Sequence, residues 1–142
     1  MNHPLNVHNQ FQPFASTNYN SVSGEILQTL DFGFDAMELI NSSALQSDFM
    51  AVYRGWFAML NAGHRIVGVG SSDVHDVSRY IVGQGRTYIA CPDSDPGRLD
   101  VEEACRSLKA GRALVSLGAF VDLVVDRKYG VGDLATGLGD EV

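Results

Sequence analysis

Between residues 47 and 61 the apolar side chains Phe49, Met50, Tyr53, Trp56, Phe57 and Leu60 recur at steps of three and four. This spacing gathers them on one stripe of a helix, which predicts a helix that packs that stripe into a core. Gly63 stands just past the last apolar turn, where a left-handed residue commonly closes a helix. Three other runs have the character of strands. Residues 34–40 (FDAMELI) read as a strand buried on much of both faces, residues 65–70 (RIVGVG) as a short apolar strand, and residues 87–91 (TYIAC) as a third. A helix joined tightly to a following strand is half of a parallel βαβ unit.

Asp100 opens a second helix. Glu103 stands at capping-box distance, Val101, Ala104, Cys105 and Leu108 supply an apolar face, and Gly111 ends it. Residues 113–116 and 120–125 predict two further strands, the last alternating around Asp122. At the other end, residues 1–23 are rich in Asn, Gln, Ser and Pro and read as loop, followed by a short helix over residues 23–30 with Ser23 as its N-cap. The Gly-rich last dozen residues have no core-forming pattern. The order strand, helix, strand, strand, helix, strand, strand, with no internal repeat, predicts an α/β layer architecture with a mostly parallel sheet.

With 142 residues and 45% apolar composition, the chain can bury one core. The net charge of -7, with only 10 scattered basic residues, argues against a nucleic-acid surface, because that affinity rests on neutralising phosphates. No apolar run is long enough to span a bilayer, and residues 1–15 lack the basic start and apolar stretch of a signal peptide. The expected location is therefore the cytoplasm. Cys91 and Cys105 do not have zinc-site spacing, and they read as reduced thiols buried in the core.

Residues 68–75 (GVGSSDVH) carry the strongest chemical signal. An apolar strand delivers Asp73 and His75, which point to the same side if the chain stays extended. Carboxylate oxygen with imidazole nitrogen suits Zn, Mn or Fe(II), and the C-terminal end of a parallel strand is where α/β barrels place reactive groups. The competing reading has Asp73 capping a turn and His75 merely exposed, since Ser-Ser-Asp is also turn chemistry. In Asn2-His3-Pro4, the proline favours an extended His3 presented stiffly from the backbone, against the alternative of a frayed terminus. His8 and His64 have no partners at ligand spacing. His64 suits the C-terminal end of the first helix, where positive charge is favoured. Arg86 could meet an anionic substrate or form a surface salt bridge.

Taken in order, Asn2-His3-Pro4, Phe34-Asp35-Ala36-Met37-Glu38-Leu39, the Trp56 helix ending in Leu60-Asn61-Ala62-Gly63, and Gly70-Ser71-Ser72-Asp73-Val74-His75 resemble the second half of the PHP (polymerase and histidinol phosphatase) superfamily. The likeness is nearest to its CehA/McbA-type metallohydrolases. It continues through Gly85-Arg86-Thr87-Tyr88 and Leu108-Lys109-Ala110-Gly111-Arg112-Ala113, so it covers roughly residues 2–125.

The resemblance implies the C-terminal portion of a distorted PHP-type β/α barrel over residues 1–116, trailed by a β-strand and a Gly-rich tail over residues 117–142. It also implies divalent metal ions (Zn, Mn or Fe) at the strand ends. By position, His3, Asp73 and His75 are similar to family metal ligands, and Asp73 and His75 would serve catalysis through the metal. Glu38 matches a recurrent acid after a strand and is a candidate catalytic residue, set against a strand-end acid paired with a neighbouring base.

The family's early His-x-His pair, a further Asp-His segment and the bridging glutamate precede Asn-His-Pro and do not occur in these residues. The expectation is therefore part of a longer hydrolase, or a natural truncation whose site is completed by a partner or lost. Its substrate would be a small-molecule phosphate ester, or a carboxylic or carbamate ester. The missing half of the domain or self-association would cover the opened barrel, with neither nucleic acid nor membrane as partner. The alternative is a non-catalytic metal-binding or scaffold module.

Overall fold

In a computed structural model, which describes residues 1–5, 14–27, 33–41 and 49–136, three backbone segments run side by side in the same direction. Strand β1 (Ala36–Asn41) pairs in parallel with β2 (Val67–Ser71). On the other side of β1, the Met1 amino group donates to Ala36 O at 2.6 Å and Glu38 N–H donates to Met1 O at 2.9 Å. A residue bonded to j-1 and j+1 of its neighbour is in parallel register, so the Met1–His3 backbone lies against β1 as β2 does.

Helix α1 (Phe49–Asn61) crosses over between β1 and β2. Its C-terminus closes as expected at Gly63, whose φ is 91°. His64 N–H bonds Met59 O and Gly63 N–H bonds Leu60 O, the paired bonds of a Schellman motif. Helix α2 (Val101–Lys109) begins at Asp100, whose carboxylate accepts from Glu103 N–H at 3.0 Å, and ends with the same paired bonds around Gly111.

Strands β3 (Arg86–Ile89) and β4 (Ala113–Ser116) form a separate antiparallel pair. It docks on β2 at Gly70. There the Thr87 hydroxyl accepts from Gly70 N–H and donates to Gly70 O, both at 2.8 Å. A Cβ on Gly70 would stand 2.9 Å from both Arg86 O and Val115 Cγ1, so only glycine permits this approach.

The core consists of Tyr19, Met37, Leu39, Ala58, Met59 and Ile66. Tyr19 donates its hydroxyl to Gly55 O at 2.7 Å, and Trp56 Nε1 donates to Ile66 O at 2.8 Å, so both large amphipathic side chains are satisfied where they pack. Outside the core, Lys109 at the end of α2 pairs with Asp35 just before β1 at 2.9 Å.

The α/β class and the predicted order of elements hold from β1 to β4. The sheet is smaller than expected: one parallel pair and one antiparallel pair, with no barrel closed among the described residues. Four local expectations fail. The stretch predicted as a helix over residues 23–30 is not helical as far as residue 27: a turn closes at Ser23 and residues 24–27 continue without helix. Asn20 Oδ1 accepts from Val22 and Ser23 N–H, and Tyr19 and Ile26 form an antiparallel bridge, so side-chain bonding outcompetes the helix. Residues 120–125 form no strand, and only Val125 makes a bridge, with Tyr129. Among the described residues no strand lies alongside this run, and a strand without a partner has no ladder.

The stripe on α1 has the right period but only part of it faces inward. Tyr53 and Trp56 pack against the core, whereas Phe57 is 50% exposed, because Gly55, Ala58 and Met59 occupy the buried face. The cysteines are free but not core residues: Cys91 is partly buried and Cys105 is exposed, since α2 turns Ser107 inward.

Candidate functional site

The C-terminal ends of the three parallel segments bring their polar residues together. β1 ends at Asn41 and β2 at Ser71, beside His3. Glu38 is the buried centre, its side chain 5% exposed. One oxygen accepts from the backbone N–H of His3 at 2.8 Å and lies 2.9 Å from His3 Nδ1. The other accepts from the Ser71 hydroxyl at 2.5 Å and faces Asn41 Nδ2 at 3.4 Å. Asn41 donates to Asp73 Oδ2 at 3.0 Å, and its Nδ2 stands 3.1 Å from His3 Nδ1.

Asn41 reaches Glu38 through an irregularity in the strand. Side chains three apart in a regular strand point to opposite faces. The register of β1 against β2 shifts between Glu38 and Ile40, where Leu39 is the extra residue. A bulge of this kind reverses the parity and turns both polar side chains to one side.

Asp73 leaves β2 through a left-handed backbone, φ 46°, and His3 has φ 50°. Such conformations in non-glycine residues cost about 1–3 kcal/mol each and persist where surrounding bonds hold them, commonly at functional sites. This corrects two expectations. His3 is not extended before Pro4, because its N–H and its ring both turn toward the Glu38 carboxylate. Asp73 and His75 do meet, with His75 Nε2 3.1 Å from Asp73 Oδ1, but through a turn and not along an extended strand.

His3 Nε2 stands 3.8 Å from Asp73 Oδ2. The Asp73 carboxyl is held below its ordinary range by the Asn41 hydrogen bond first and then by His3 and His75, while partial burial opposes the shift.

The structure therefore brings together His3, Glu38, Asp73 and His75, with Asn41 and Ser71 as members that sequence reading overlooked. The signal for Asn41 was an amide at the end of an apolar strand, three residues after a buried acid. His64 follows the Schellman closure of α1, apart from the site, and His8 lies outside the described residues. Arg86 has no acid at ion-pair distance among the described residues. Its guanidinium reaches the Tyr88 hydroxyl at 3.4 Å, and its buried Nε has no partner there.

The donor set, two imidazoles and hard carboxylate oxygens, has the chemistry of a transition-metal site. Ligand atoms about 2.1 Å from one ion lie at most about 4.2 Å apart, so each histidine nitrogen is within sharing distance of an Asp73 oxygen. The two imidazoles use opposite oxygens, however, and among the described residues no group of three or more His, Cys, Asp or Glu is already arranged to hold a metal ion. With 83% of its side chain exposed, His75 has room to turn toward His3. Comparisons with family models, curated proteins and solved structures give no match to this chain.

Proposed function

We propose that this chain contributes His3, Asp73 and His75 to the centre of a PHP-type metal-dependent hydrolase, with Zn, Mn or Fe(II) as the ion. The observation that carries this reading is the meeting of two distant histidines on one carboxylate at the ends of parallel segments. A metal bound there would lower the pKa of its water toward neutrality and polarise a phosphoryl or carbonyl oxygen. Asp73 would hold the ion between the two imidazoles, Asn41 would orient Asp73, and Glu38 would anchor His3 from below. Further ligands would come from outside the described residues. A phosphate ester is the leading substrate class, and a carboxylic or carbamate ester the second.

The lack of a three-ligand group already in place favours a second reading, a non-catalytic metal-binding or scaffold module. Metal analysis combined with hydrolysis of a generic aryl phosphate or aryl ester separates the two. Stoichiometric metal with turnover supports the hydrolase, and metal without turnover supports the module. His75→Ala should sharply reduce bound Zn or Mn, and undiminished metal content in that variant would remove His75 from the ligand set.

A further inference from the structure

We propose that Glu38 is a positioning residue that fixes His3 in the tautomer protonated on Nδ1, so that Nε2 offers its lone pair beside Asp73. The inference rests on reading the site as a metal centre, and it assigns Glu38 a role other than direct catalysis. Two groups compete for His3 Nδ1: the Glu38 carboxylate at 2.9 Å, which can only accept, and the Asn41 amide at 3.1 Å, which can only donate from Nδ2. They demand opposite tautomers.

Charge decides between them. An N–H donated to a carboxylate is roughly twice as strong as a neutral bond, and the opposite choice would set a lone pair 2.9 Å from a buried anion. Asn41 loses less, because its amide already donates to the charged Asp73 Oδ2 at 3.0 Å and keeps a weaker contact with Glu38 Oε1 at 3.4 Å. Glu38 in turn is held by the His3 backbone N–H and the Ser71 hydroxyl, so its carboxylate cannot swing away without abandoning both.

With the proton on Nδ1, the lone pair sits on Nε2, 3.8 Å from Asp73 Oδ2. Two electron-rich atoms at that range are brought together favourably by a cation shared between them. The carboxylate, imidazole and open nitrogen thus have the order by which an outer carboxylate raises the basicity of a metal-ligating histidine.

Nitrogen-proton correlation spectra of the histidine rings test this directly in the full chain in weakly alkaline buffer, first without metal. The expected wild-type result is a protonated Nδ1 and an unprotonated Nε2 on His3, and an Nε2–H tautomer would overturn the inference without any variant. In Glu38→Ala the His3 ring should revert to the Nε2–H form that an unconstrained histidine side chain prefers in water, while the His75 ring signals stay put. Zinc affinity, measured by chelator competition, should fall about 10- to 100-fold. Glu38→Gln keeps an acceptor and should restore part of both. Unchanged zinc affinity and unchanged His3 tautomer in Glu38→Ala overturn the positioning role. A wild-type chain with the Nδ1–H tautomer that binds no zinc or manganese supports the tautomer assignment and sinks the metal reading separately.

Discussion

Replacing Asn41 by alanine removes a side chain that ties β1 to the turn after β2. Asn41 is buried, and its donation to Asp73 Oδ2 at 3.0 Å is a well-formed bond to a charged acceptor. Such bonds contribute about 1.5–3 kcal/mol, whereas the 3.4 Å contact with Glu38 is too long to add much. The expected cost of Asn41→Ala is therefore about 2 kcal/mol, which at an m-value of about 2 kcal/mol/M lowers the urea midpoint by roughly 1 M.

The pH dependence carries its own sign. Asp73 has a depressed folded pKa, so it contributes stability that is present above the ordinary aspartate value and lost as pH falls through the folded value. Since Asn41 is the leading cause of that depression, the variant should lose less stability on acidification than the parent does. Urea titrations of both proteins at neutral pH and at pH values stepped down through and below the ordinary aspartate value measure both quantities. Equal midpoints with parallel pH profiles would refute the tie between Asn41 and Asp73.

Met59 is fully buried in the same cluster as Tyr19 and Ile66, and Met59→Ala should cost about 2–5 kcal/mol by thermal or urea unfolding. Asp100→Ala removes the N-cap of α2 and should cost about 0.5–2 kcal/mol, with a matching loss of protection of the Glu103 amide from hydrogen exchange. Phe57, Phe120, Val121, Leu123 and Val124 are more than half exposed or close to it, enough apolar surface to favour association. Light scattering after size exclusion should show a mass above the monomer's that rises with concentration, and a well-behaved monomer throughout would count against this.

The linear pattern alone determined much of the scaffold. Alternating apolar runs and helical spacing located β1, α1, β2, β3, α2 and β4 because each is a local period, and Asp100, Gly63 and Gly111 marked helix ends because capping is satisfied within a few residues. The same reading failed wherever the outcome depended on a neighbour. A β-prone run at residues 120–125 formed no strand, with only Val125 in a bridge, and α1 turned Gly55 and Ala58 inward although Phe57 is more hydrophobic.

At the site, His3, Asp73 and His75 were legible as residue types suited to a cation, and Glu38 as an acid on a strand. Tertiary structure alone decided that Asn41 and Ser71 join them. The extra residue at Leu39 changes which face Asn41 shares with Glu38, and no count along the chain reveals a register that is set by the partner strand.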